Sequence, residues 1–127
     1  MNISESYKKR LMELGGLKSM ENKVTPDYIL EFVNNLHKKG WEQKKFEDPE
    51  RILNHNYFIL REISINDSSV KWCKGMHYPV SINYSKISTE IPPIVIDSEG
   101  YIIDGCHRSN AKRIKNDKTI FAYIGIK

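Results

Sequence analysis

Five consecutive residues, Asp104-Gly105-Cys106-His107-Arg108, concentrate the reactive side chains of this sequence. They lie between an apolar run, Tyr101-Ile102-Ile103, and a stretch over 106–115 whose spacing predicts a helix with Ala111 and Ile114 facing inward. A strand that passes through a glycine directly into a helix makes an anion site. The first N–H groups of a helix lack intrahelical acceptors and lie at the positive end of its dipole. Gly105 lets the backbone approach a bound group closely. Arg108 can grip two phosphate oxygens with its planar fork, and His107 can donate a hydrogen bond or shuttle a proton. Asp104 has two readings, a helix N-cap or a ligand for the Mg²⁺ that accompanies a nucleotide.

The elements that must position this loop are written in local signals. Pro92-Pro93 opens the run Ile94-Val95-Ile96, Asp97-Ser98-Glu99-Gly100 supplies a turn, and Tyr101-Ile102-Ile103 returns, which predicts a β-hairpin. Tyr57 to Ile65 and Ile120 to Ile126 read as strands. Asn66-Asp67 is expected to cap a short helix through Trp72. Upstream, Tyr7, Leu11 and Leu14 share a helical stripe ended by Gly15-Gly16. A better-signed helix starts at Thr25-Pro26-Asp27, ends before Gly40 and carries the stripe Ile29, Phe32, Val33 and Leu36. Asp48-Pro49-Glu50 repeats that start and predicts a third short helix through about Asn54. The fold class is α+β: a small mixed sheet with helices over 56–127, with a helical extension over 1–55 packed on it.

The frame Pro92-Pro-Ile-Val-Ile, Gly100-Tyr-Ile-Ile-Asp-Gly-Cys-His-Arg108 and Ala111, with a closing strand, resembles the ParB/sulfiredoxin superfamily. The likeness spans roughly residues 57 to 127 and includes the opening strand Phe58-Ile-Leu-Arg-Glu-Ile. It implies a loop that holds nucleotide phosphates through the Gly105 and Cys106 backbone, His107 and Arg108, with Mg²⁺ and a nucleoside triphosphate such as ATP or CTP as cofactors. The outcomes in that group differ: sulfinic acid reduction, serine phosphorylation, CTP hydrolysis by partition clamps, or nuclease activity. The resemblance also puts a second wall for the nucleotide over His77, Tyr78, Pro79, Tyr84, Lys86 and Thr89. Lys86 is the candidate for a further phosphate contact, the alternative being a solvated loop lysine.

Sulfiredoxins carry a nucleophilic cysteine in a Gly-Cys-His-Arg arrangement that Gly105 to Arg108 reproduces. A thiol at a helix N-terminus beside His107 and Arg108 should have a lowered pKa. This sequence departs from the sulfiredoxin pattern at Asp104, where a glycine is replaced, and a carboxylate there opposes thiolate formation. The Asp-Gly-x-His-Arg form is more similar to the serine-kinase and ParB-like branches, in which Cys106 would be a small bystander. Glu62 and Glu90 are further candidates for a base on a substrate hydroxyl. Catalytic roles would thus fall to His107, Asp104 and Cys106.

Other constellations count against themselves. Cys73, His77, Cys106 and His107 have zinc-ligand chemistry, but adjacent Cys106 and His107 rarely reach one tetrahedral ion and no Cys-x-x-Cys pair is present. Trp41, Phe46 and Trp72 read as packing aromatics, although one exposed near Lys44-Lys45 could stack a base.

Composition bounds the rest. With 127 residues, 39% hydrophobic and 28% charged, the chain is the size of one soluble domain. Its +4 formal charge favours polyanions weakly. The basic residues come in short clusters (Lys8-Lys9-Arg10, Lys38-Lys39, Lys44-Lys45, Lys112-Arg113), not in a nucleic-acid tail. Two cysteines and no apolar leader lead to the expectation of a cytoplasmic protein with free thiols, so a Cys73–Cys106 disulfide is not expected. No membrane partner is expected. Three functions remain: a nucleotide-phosphate-binding enzyme or switch that transfers or hydrolyses a terminal phosphate; a ParB-like DNA-associated module or nuclease; or a non-catalytic binding or inhibitor protein of mobile-element origin, using its N-terminal helices as the interface.

Overall fold

The structure, a computed structural model, describes residues 23–41, 45–73 and 91–127. The expected helix over 5–14 lies outside these residues. In chain order the elements are β1 (Lys23–Val24), α1 (Pro26–Lys38), α2 (Glu50–Leu53), β2 (Tyr57–Ser64), β3 (Ile94–Ile96), β4 (Ile102–Asp104), α3 (Cys106–Ile114) and β5 (Thr119–Ile126). The strands form one mixed sheet in the order β1-β2-β5-β3-β4. The α+β expectation holds at that level.

The long antiparallel pair β2–β5 runs in register from Tyr57 opposite Ile126 to Ser64 opposite Thr119. Strand β3 lies parallel to β5 and antiparallel to β4, so the predicted hairpin forms the far edge of the sheet. Its turn is held by Asp97, whose Oδ1 accepts from the N–H groups of Glu99 and Tyr101, each at 2.9 Å. Gly100 sits there at φ +93, and a Cβ on it would meet the Ser69 carbonyl oxygen.

Helix α1 is the sequence-signed helix. Thr25 Oγ1 accepts from the Tyr28 N–H at 3.2 Å at its start, and Gly40 at φ +86 ends it. Its stripe Ile29, Phe32, Val33 and Leu36 is buried with Phe58, Leu60, Val95, Ile103 and Tyr123 on one face of the sheet. The other face holds Ile94, Ile96, Ile102, Ile120 and Ala122, covered by Ile65, Val70 and the first residue of α3, Cys106. Strand β3 is therefore buried on both sides.

The helix expected over 67–72 is a turn instead. The Asp67 carboxylate accepts from Ser69 N–H and Oγ at 2.8 and 2.6 Å, a local bond that competes with helix propagation. Lys71 then donates its N–H to Gly100 O at 2.8 Å and bridges to Tyr101, drawing the chain onto the hairpin. None of the helices among the described residues is long and apolar enough to cross a membrane.

Candidate functional site: the turn from β4 into α3

Strand β4 ends at Asp104 and α3 begins at Cys106, leaving Gly105 alone between them in the N-cap position. Gly105 has φ +109 and ψ 22. A Cβ on it would come within 2.6 Å of Ile94 Cγ2 and 3.0 Å of the Arg108 guanidinium. Both the left-handed backbone and the packing therefore require glycine. The Ser109 N–H donates to Gly105 O at 2.9 Å, and Ser109 Oγ donates to Cys106 O at 2.8 Å, which sets the first turn. The N-cap reading of Asp104 is corrected: it is the last strand residue, and the cap makes no side-chain hydrogen bond.

Asp104 instead lies inside a buried ionic chain. It pairs in the ladder with Val95, a member of the α1-side core, and cross-strand partners share a face. From there Oδ1 accepts from His37 Nε2 at 2.8 Å and Oδ2 accepts from Arg108 NH2 at 3.2 Å. Arg108 is 0% exposed and also donates to Pro93 O at 3.0 Å. Burial pushes the Asp104 carboxyl up, but the Arg108 and His37 interactions outweigh it and hold the carboxyl below its ordinary range. Because a carboxylate only accepts, His37 Nε2 carries the proton in this contact.

These positions redistribute the expected roles. Both Asp104 oxygens already accept hydrogen bonds from inside the fold, from His37 and Arg108, so the residue does not fit a magnesium ligand here. Among the described residues no cluster of three or more His, Cys, Asp or Glu could hold a metal. The Arg108 guanidinium, expected on a phosphate, is placed inside the fold, where it ties α3 to β4 and to Pro93. His107 and Cys106 are half-buried at the start of α3. Glu62 accepts from Thr119 Oγ1 at 3.0 Å between β2 and β5, away from the turn. Lys86, Glu90 and the stretch with His77, Tyr78, Pro79, Tyr84 and Thr89 lie outside the described residues. Trp41 and Phe46 pack against the α1-side core and Trp72 against the other, as packing aromatics should.

The expectation of free thiols is corrected as well. Cys73 and Cys106 are joined as a disulfide with Cα atoms 5.7 Å apart, inside the usual range for such a bridge. The cause is the path of residues 65–73, which return along the hairpin and bring Cys73 to the start of α3. As a half-cystine Cys106 offers no thiolate, so a nucleophilic role belongs to the reduced form.

Two histidines carry roles that the motif did not suggest. His37 stands four residues after Val33, in the last turn of α1, so its place on the buried stripe was the available signal. His55 is buried against Phe58; its Nδ1 donates to Ile52 O at 3.3 Å and its Nε2 accepts from the Ser98 N–H at 3.1 Å. It ties α2 to the hairpin turn, and only position matters to that role. At the far end of α3 an open groove of ≈ 690 Å³ is lined by Ser64, Ile65, Asn66, Arg113, Asn116, Asp117 and Lys118.

Compared with known proteins, the chain matches no family model, no curated protein and no solved structure.

Proposed function

We propose that this chain binds the phosphate group of a nucleotide at the turn from β4 into α3, as a phosphate-binding protein of ParB/sulfiredoxin type. The supporting observation is the close-packed Gly105 turn, which starts a helix directly at a strand end while an internal Arg108–Asp104 pair neutralises the nearest carboxylate. With Asp104 satisfied internally by Arg108 and His37, the positive end of α3 meets no uncompensated acidic charge from its own turn. The first-turn N–H groups hold the phosphate, and His107 adds a hydrogen bond or transfers a proton to a leaving or attacking oxygen. Arg108 is a positioning residue that keeps the turn in shape. Phosphoryl transfer or hydrolysis at such a turn would rest on positioning and charge neutralisation. The magnesium part of the expectation does not extend to Asp104.

Calorimetric titration of the chain with ATP, CTP, ADP and inorganic phosphate, with short duplex DNA as the rival ligand, tests this reading. Binding of phosphate-bearing ligands that falls at least about tenfold in His107→Ala, in a variant that unfolds like the wild type, is the expected result. Binding to DNA alone, with a steep salt dependence and no response to His107→Ala, would replace the turn with another surface.

A further inference from the structure

We propose that the Cys73–Cys106 bond is a reversible thiol–disulfide switch set on the anion-binding turn, opened by a dithiol reductant and closed by the reverse exchange with a disulfide oxidant, which takes up the two electrons and leaves as its dithiol. Its effect on ligand binding rests on the function proposed above, whereas the thiol chemistry stands apart from it.

Both half-cystines are held in place by contacts that do not depend on the bond. Cys106 is the first residue of α3, seated by Gly105 and by the Ser109 hydroxyl on its carbonyl. Cys73 ends a segment anchored at Lys71 N–H to Gly100 O at 2.8 Å and at Trp72 Nε1 to Asp67 O at 3.0 Å, with Arg113 stacked over Trp72. Breaking the bond therefore leaves two thiols facing each other, and such proximity favours re-closure. The chain has no third cysteine to compete for either sulfur. Both residues are half-buried, so a small or protein thiol has access.

The two sulfurs are chemically unequal. Cys106 lies at a helix N-terminus, which stabilises a thiolate, and the one acidic neighbour in the turn, Asp104, is engaged with Arg108 and His37. Cys106 is thus the better leaving group. A reductant thiolate attacks Cys73 Sγ, the Cys73–Cys106 bond breaks, and Cys106 departs as a thiolate. The reductant's second thiol then resolves the mixed disulfide, releasing the Cys73 thiol and carrying away the oxidised reductant. Two electrons enter the protein, and the dithiol's two protons are distributed among Cys73, Cys106 and solvent.

Reduction also changes the charge of the turn. In the disulfide the Cys106 sulfur is neutral; as a thiolate it places a negative charge at the same helix end that receives the phosphate. The oxidised state is the binding state, and the reduced state binds phosphate about tenfold more weakly through that repulsion.

The test uses the full chain poised in dithiol/disulfide buffers. Alkylation followed by mass spectrometry should show two adducts after reduction under native conditions and none after re-oxidation. Cys73→Ser should show an alkylation rate whose pH dependence lies below the ordinary thiol value of about 8.5. Calorimetry with inorganic phosphate and ATP should show the weaker binding in reduced wild type, and in Cys73→Ser whatever the buffer. Two free thiols in oxidising buffer, or a bond reducible only after denaturation, would overturn the switch. Equal binding in both redox states would overturn the charge coupling while the thiol cycle stands. No binding in either state would instead overturn the phosphate reading and its coupling, with the alkylation result deciding the thiol cycle by itself.

Discussion

Arg108 and Arg113 stand on the same helix, one in its first turn and one in its last, and the fold uses them differently. Arg108 is sealed in, with its guanidinium on Asp104 and Pro93 O. Arg113 lies at the surface, donating to Ile65 O at 3.2 Å and stacked on the Trp72 ring at 4.8 Å, on the edge of the open groove. At the N-terminal end the helix itself supplies positive potential, so the arginine there is free to act as internal framework. At the C-terminal end the dipole is negative, and the cations Lys112 and Arg113 complement it. The exposed arginine and the proposed anion site therefore lie at opposite ends of α3.

The contrast breaks most sharply on truncating each arginine. Arg108→Ala leaves the buried Asp104 carboxylate with one partner fewer and should cost about 3–5 kcal/mol in denaturant unfolding. Arg113→Ala removes a surface hydrogen bond and a cation–π contact and should cost about 1 kcal/mol or less. Equal costs would show that the buried network is not what holds the turn. Asp104→Asn in the Arg108→Ala background should recover part of the loss, since the uncompensated charge is then absent.

Next in size is the covalent link at the same end of the helix. The 33-residue separation of Cys73 and Cys106 corresponds to roughly 4 kcal/mol of unfolded-state restriction in the loop-entropy description. Reduction should therefore lower the unfolding midpoint of the wild type and leave that of Cys73→Ser unchanged. No comparable staple exists among the described residues at the Arg113 end.

Glycine substitutions grade the packing of the turn itself. Gly105→Ala meets a left-handed backbone and a Cβ contact with Ile94, and should cost about 2–4 kcal/mol. Gly40→Ala has the same backbone penalty with nothing within 4 Å and should cost about 1 kcal/mol. The difference between the two, read by urea unfolding, isolates the close approach of β3 from the conformational term.

Much of this arrangement is legible in the sequence where the cause is local. Thr25-Pro26-Asp27 and Gly40 mark both ends of α1, and Asp97 to Gly100 marks the hairpin turn. The passage from β4 through Gly105 into α3 is equally local. What escaped is set by distant partners. Asp104 looks like a cap because caps are acidic, but His37, 67 residues away, and Arg108 claim its oxygens. Arg108 looks like a surface ligand because arginines are seldom buried, and only a buried carboxylate makes this one an exception. The turn over 67–72 has helix-start chemistry, yet its chain is drawn onto Gly100 by a long-range bond, and the same detour delivers Cys73 to Cys106.

The smallest effect, and the one that reads the ionic chain without dismantling it, is in acid. Asp104 is held below its ordinary carboxylate range in the folded chain. The unfolded state therefore binds the proton at higher pH than the folded state does. Its contribution to stability is complete above the unfolded value of about 3.9 and is lost as pH falls through the lower folded value. Stability measured by denaturant from pH 6 down to pH 2 should fall across that window, and Asp104→Asn should make the fall shallower. In the folded variant Arg108 keeps an amide oxygen to donate to but loses its buried counter-charge, so Asp104→Asn also lowers stability at pH 6, and the comparison reads the slope of the acid limb, not its height. An acid limb unchanged by Asp104→Asn would mean that the charge at the N-terminal end of α3 is not set by this carboxylate.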